Sequence, residues 1–208
     1  MQDQLDIKTI SEQTGISIRE LNRLNQDLWY HGTTIESAEN IADNGVIANY
    51  NLGADLDFGP GFYLTDTYER AVSFISKTPI LTSNGNIELP KDWAIITFEF
   101  NPFNLLFNSD ARYNFCNFSR HNDEFADFVL KNRMYNTRKE NHHHYDVIWG
   151  VMSDNKPFEI IEKYKKKIIS YENAINEFKK TTSMRQLYIG NQNICDMLKI
   201  QGINKEVR

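Results

Sequence analysis

Two short phrases of this 208-residue sequence place chemically capable side chains at telling spacing. In Tyr30-His31-Gly32-Thr33-Thr34 an imidazole offers one donor and one acceptor, hydroxyls follow it, and Gly32 leaves the backbone open to close approach. In Asp57-Phe58-Gly59-Pro60-Gly61-Phe62-Tyr63-Leu64-Thr65 a Gly-Pro-Gly loop delivers the aromatic pair Phe62-Tyr63, whose ring faces attract cations. Each phrase by itself has a plain structural reading: histidine–glycine pairs are common, and a single tyrosine suits a core. The run His142-His143-His144 makes a poor metal cage because adjacent strand residues point to opposite faces, so a polar loop and no metal are expected there. Cys116 and Cys195 lack CxxC spacing and read as ordinary buried thiols. No serine-hydrolase elbow, HExxH or P-loop occurs. The Gly59–Leu64 segment lacks a third glycine and precedes a strand, which excludes a Rossmann dinucleotide site.

The elements that must hold these residues follow from periodicity. Strand-like runs cover Leu28–Tyr30, Gly61–Leu64, Trp93–Phe100, Tyr145–Trp149 and Gln186–Ile189. His31 therefore ends the first strand and Tyr63 lies within the second. Helices are expected over Ile35–Asn44, with Gly45 as its C-cap, and over Thr67–Lys77 and Asp123–Met134. Residues 157–180 read as two charged helices with Ser170 capping the second, and residues 78–92 as a loop or small hairpin. Residues 7–25 form two short helices around Thr14-Gly15, capped by Ser17, with Ile7, Ile10, Ile16, Ile18, Leu21 and Leu24 as the apolar face. Strands and helices without regular alternation predict an α+β fold. The expected division is a helical extension, residues 1–27, ahead of one main domain, residues 28–208.

The two phrases, in this order, resemble the opening motifs of the histidine–tyrosine branch of the ADP-ribosyltransferase superfamily. Glu124–Arg133, Tyr145–Val151 in outline and the strand at Gln186 keep the same order, so the likeness to a bacterial family of uncharacterised domains placed in that superfamily covers roughly residues 28–200. The resemblance implies a split, mostly antiparallel sheet with helices around a cleft for NAD, the co-substrate. It implies that His31 donates a hydrogen bond to the nicotinamide ribose, that Gly32 lets its backbone reach the carboxamide because a Cβ would block the approach, and that Thr33 adds a hydroxyl contact. Phe62 and Tyr63 would border the ligand, Tyr63 stacking on the nicotinamide ring. Much of the superfamily begins its catalytic strand with glutamate, where this chain has Gln186. An amide accepts a hydrogen bond from a 2′-hydroxyl but supplies no negative charge. Glu124, on a helix, is the alternative carboxylate for that third position.

Composition narrows the setting. A hydrophobic fraction of 40% with 25% charged residues suits a folded globular chain, and no basic-then-apolar leader or spanning run is present, so a cytoplasmic protein without a membrane partner is expected. The net charge of −5 disfavours gripping nucleic acid over the whole surface, although residues 160–208 carry ten Lys/Arg against five Asp/Glu. The reading is an NAD-dependent ADP-ribosyltransferase with a protein or nucleic-acid acceptor, in the manner of a bacterial toxin or defence effector held by an antitoxin or immunity partner. Transfer to a small molecule, and an NAD-binding or DNA-binding regulator without catalysis, are the competing readings.

Overall fold

The computed structural model describes residues 6–51, 56–81, 85–107, 113–135, 142–153, 157–180 and 184–206. Two helices, α1 (Ile7–Thr14) and α2 (Ile18–Leu24), precede strand β1 (Leu28–Thr33) and helix α3 (Ile35–Asn44). Then come β2 (Phe62–Leu64), α4 (Tyr68–Ile75), the small hairpin β3 (Ile80–Leu81) and β4 (Ile87–Glu88), β5 (Trp93–Glu99) and a 3-10 segment (Pro102–Phe107). The second half holds β6 (Phe115–Phe118), α5 (Asp123–Tyr135), β7 (Val147–Val151), α6 (Pro157–Lys165), α7 (Tyr171–Phe178), β8 (Arg185–Ile189), α8 (Gln192–Cys195) and β9 (Lys199–Glu206).

The fold is α+β with mostly antiparallel sheets. One sheet has the order β1-β5-β9, a second β2-β8-β7-β6, and among these pairings only β6 with β7 is parallel. Among the described residues the backbones of the two sheets are bridged once, where the Tyr30 N–H donates to the Thr65 carbonyl at 3.0 Å and the Thr65 N–H to the Tyr30 carbonyl at 2.8 Å. Beneath that seam, Trp29 of β1 meets Trp149 of β7 edge to face, ring centroids 5.6 Å apart.

Both faces of the four-stranded sheet are covered, which is why β7 is buried at every position. Val147, Trp149, Leu187 and Ile189 face a core shared with β1, β5 and α3, whereas Ile148 and Tyr188 face the one built by α5, α6 and α7. Ser170 caps α7 as expected, and Thr34 and Thr67 do the same for α3 and α4, each accepting from the N–H three residues on. Of the amino-terminal aliphatics, Ile10, Ile16, Leu21 and Leu24 are buried while Ile18 stays exposed. No described helix is long and apolar enough to cross a membrane.

Two strands lie outside the sequence expectation. β6 is short and carries Asn117 and Cys116, and its parallel partner is distant in sequence. β9 is a mostly exposed edge strand whose lysines, amides and Gly202 break any apolar alternation; only its pairing with β5 defines it.

Candidate functional site

The loop from Asp57 to Gly61 is held backbone group by backbone group. Asp57 is buried, and its carboxylate accepts from Arg133 Nε and Nη2 at 3.0 and 2.6 Å, and from the Ser153 hydroxyl and N–H at 2.6 and 2.8 Å. Its carbonyl accepts from Asn132 Nδ2 at 3.3 Å. The Phe58 N–H donates to the Tyr63 hydroxyl, which itself donates to the Gly59 carbonyl at 2.6 Å. His143 Nε2 donates to the Phe58 carbonyl at 2.6 Å, the Tyr188 hydroxyl to the Pro60 carbonyl at 2.9 Å, and Asn51 pairs with both the N–H and the C=O of Gly61. Gly61 tolerates no side chain, because a Cβ would sit 2.0 Å from the Tyr188 ring. So many restraints on five residues preorganise the turn that launches β2.

His142, His143 and His144 stand in a loop, as expected, but His143 is not exposed like its two neighbours. Its ring is half-buried among Phe128, Tyr145 and Tyr188, and Nδ1 accepts from the Tyr145 N–H at 3.1 Å while Nε2 donates to Phe58. Burial lowers its pKa below the ordinary histidine value, so the neutral form carries this pattern.

Tyr63 and Phe62 diverge, as neighbours on a strand must. Phe62 stacks near the His31 ring, centroids 4.4 Å apart, on the side facing Phe98. Tyr63 turns the other way, parallel to Phe58 and edge-on to Tyr188. Burial first, then the neighbouring Tyr188 and Asp57, push its phenol well above the ordinary value, so it stays a neutral donor to the loop. The hydroxyl is committed to Phe58 and Gly59; its ring borders open space.

His31 spans the seam. Its Nδ1 lies 2.7 Å from the Tyr63 carbonyl, and since a carbonyl only accepts, Nδ1 carries the proton. Burial lowers its pKa, so the ring is neutral and Nε2 presents a lone pair. The free ring nitrogen of His31 is thereby an acceptor in this structure, where the resemblance implies a donor.

Gly32 is needed for a reason other than ligand approach. A Cβ there would fall 2.6 Å from the Ala71 carbonyl and 3.1 Å from Ile75, so it is the packing of α4 on β1 that demands glycine. Its backbone still matters. Tyr30 turns both its N–H and C=O toward Thr65, away from β5, and the two-residue repeat of a strand points the N–H and C=O of Gly32 the same way. Beyond the single Tyr30–Thr65 bridge no strand continues that edge among the described residues.

Gln186 enters from β8, opposite Gly150 and one position beyond the Leu64–Leu187 pair. It is 6% exposed, and its Nε2 meets no hydrogen-bond partner. His31, Gly32, Tyr63 and Gln186 together line a cavity of about 40 Å3, with Thr65 and Met152. A second cavity, about 180 Å3, opens on the other side of Tyr63 and His31, lined by Thr33, Phe62, Asn40, Asn51 and the exposed Tyr50. Glu124 joins neither. It is exposed at the start of α5 and borders a separate hollow with Cys116 and Tyr145, beside β6. Because β2 and β6 are opposite edges of the sheet, three strand spacings, roughly 14 Å, separate it from Tyr63.

Both thiols are free, and burial raises Cys116 to about 11 and Cys195 to about 12, which leaves them protonated and unreactive. Sequence reasoning missed Asn51, Arg133 and Tyr188, whose contacts span 10, 76 and 128 positions, and gave Asp57 no role of its own although it heads the Gly-Pro-Gly phrase.

A family model described as a protein of unknown function, DUF3990, matches residues 29–200. The chain belongs to this family. The matched span begins at Trp29 and takes in both phrases, the Asp57–Arg133 pair and the strand of Gln186. No curated protein matches the chain.

Proposed function

We propose that this member of the family is an NAD-cleaving enzyme of the ADP-ribosyltransferase type, with NAD lying across the seam between β1 and β2. One observation carries the reading: His31, Tyr63 and Gln186, far apart in sequence, line a single cavity beside the open backbone edge of Gly32. Two sheets whose backbones are bridged, among the described residues, at Tyr30–Thr65 alone support the split-sheet expectation.

The donor and acceptor pattern suits the substrate. A carboxamide needs one acceptor and one donor side by side, and the C=O and N–H of Gly32 supply that pair. The Tyr63 ring offers an aromatic face to the pyridinium, whose positive charge it attracts. Nε2 of His31 accepts from a ribose hydroxyl, and Gln186 stands where the 2′-hydroxyl is oriented. Thr33 and Phe62 line the larger cavity, which at about 180 Å3 is below the roughly 300–1,000 Å3 of sites that enclose a whole drug-sized ligand, so part of the dinucleotide lies along the surface near Tyr50.

Cleavage transfers the electron pair of the ribose–nitrogen bond to the pyridinium, which leaves neutral while positive charge grows on the ribose. These residues orient the ribose through hydrogen bonds and leave that charge without a carboxylate. The test is calorimetry with a non-hydrolysable NAD analogue. The wild type binds, and a folded His31→Ala variant, checked by its melting curve, loses at least about tenfold in affinity through the missing hydrogen bond and the loosened seam. Equal affinity in both proteins would remove His31 from the site.

A further inference from the structure

The four-stranded sheet ends, on the side away from the seam, in an open edge. β6 closes the order β2-β8-β7-β6, and among the described residues no strand pairs with its outer side. The Asn114 C=O, just ahead of β6, accepts from the Val147 N–H of β7 at 3.2 Å, so the two-residue repeat of a strand turns the N–H and C=O of Phe115 and Asn117 outward. The Asn117 N–H meets the Cys116 sulfur, a weak acceptor. Along this edge runs a hollow of about 560 Å3, lined by side chains from both faces of β6. That volume falls within the roughly 300–1,000 Å3 of sites that enclose a ligand.

The two walls of the hollow differ in chemistry. On the Phe115 side stand Ile16, Leu105 and Leu106, with Asn117, whose Oδ1 is buried and has no hydrogen-bond partner. On the Cys116 side stand Tyr145 and Glu124. Asp123 is paired with Lys179, but Glu124 meets no cation among the described residues. Its surroundings are acidic too, since residues 1–159 carry 13 Lys/Arg against 23 Asp/Glu. A strand laid along this edge points alternate side chains to opposite walls. One wall takes aliphatic groups and offers Asn117 Oδ1 to a donor, and the other takes a cation against Glu124.

We propose that this edge binds an extended segment of another protein, which joins the sheet as a fifth strand beside β6 and presents alternating aliphatic and basic side chains. Main-chain hydrogen bonds to Phe115 and Asn117 give the affinity, and the two unlike walls give the selectivity. Because β6 and β2 are opposite edges of the sheet, the segment sits away from His31 and Tyr63, and its binding is independent of the NAD reading.

The experiment uses the full chain and three acetylated, amidated hexapeptides: Lys-Ile-Lys-Val-Lys-Ile, its isomer Lys-Lys-Lys-Ile-Val-Ile, and Glu-Ile-Glu-Val-Glu-Ile. In calorimetry the alternating basic peptide binds at least about tenfold more tightly than either of the others. Its binding slows amide hydrogen exchange, read by NMR, at Phe115 and Asn117 and leaves Cys116, which faces β7, unchanged. Glu124→Lys, at an exposed position, abolishes the preference for lysine over glutamate. Asn117→Pro deletes an outward N–H without touching the β6–β7 ladder and weakens binding about tenfold, the worth of one hydrogen bond. Equal affinity for the isomer, binding that slows neither amide, or no binding of the alternating peptide overturns the proposal. So does slowing of both amides as the chain is concentrated without peptide, which would place a second copy of the chain on this edge.

Discussion

Asp57 and Glu20 are both buried carboxylates facing an arginine, yet they fasten different parts of the molecule. Asp57 draws Arg133 from the end of α5 and Ser153 from beyond β7 onto the loop that launches β2. Glu20 draws Trp149 Nε1 at 2.6 Å and Arg185 at 3.0 and 3.2 Å from the middle and end of the four-stranded sheet onto α2. The first restrains five residues of a candidate site; the second joins the amino-terminal helices to the central strands. Equal chemistry therefore has unequal reach: a charge that ties loops together controls a local opening, and one that ties a helix to a sheet controls global unfolding.

The comparison breaks most readily at Glu20. Glu20→Ala strands the Arg185 guanidinium and the Trp149 indole N–H in the interior, and stability to urea falls by about 3–5 kcal/mol. A loss below about 1 kcal/mol would mean that α1 and α2 are an appendage to a domain that stands without them. Asp57→Asn keeps the shape and removes the charge opposite Arg133, at about 2–4 kcal/mol. Hydrogen exchange separates the two variants: protection drops at residues 58–61 alone in Asp57→Asn, and across β7 and β8 in Glu20→Ala. The same pattern in both would erase the distinction.

Acid sharpens it further, because histidines lie on the loop's side only. His143 holds the Phe58 carbonyl and His31 the Tyr63 carbonyl, and burial lowers both pKa values. The unfolded chain then takes up protons first as the pH falls. Stability is whole above the ordinary histidine pKa of about 6.5 and declines below it, by at most about 1.4 kcal/mol per pH unit for each ring, until the folded rings protonate. Urea midpoints measured from pH 7.5 to 5 should show this decline, and it should vanish in a His31→Gln, His143→Gln double variant. The smallest effect is expected of Tyr63→Phe, which unpairs the Phe58 N–H and the Gly59 carbonyl at about 1–2 kcal/mol. A melting temperature equal to that of the wild type would show Asn51, His143 and Tyr188 to hold the loop unaided.

The sequence by itself determined which segments are regular and what types of residue stand at the seam. Local rules suffice for that: Thr34, Thr67, Ser17 and Ser170 cap helices by bonding three residues away, and runs such as Trp93–Glu99 declare a buried strand. His31 and Tyr63 were likewise legible, each within a motif a few residues long. Tertiary structure decided everything that depends on a partner far along the chain. Ser17-Ile18-Arg19-Glu20 has the form of a capping box, but the Glu20 carboxylate is committed to Trp149 and Arg185, more than a hundred residues away. Gly32 reads as an opening for a ligand until Ala71 of α4 is found against it. The imidazole of His31 is donor or acceptor on paper; the Tyr63 carbonyl at 2.7 Å makes it an acceptor. Gln186 was the first candidate for the third position and Glu124 the alternative carboxylate, and the strand order β2-β8-β7-β6 puts Gln186 at the seam and Glu124 beside the far edge. Periodicity and capping act over a few residues and are written in the chain, whereas burial, register and hydrogen-bond direction are set only when distant segments meet.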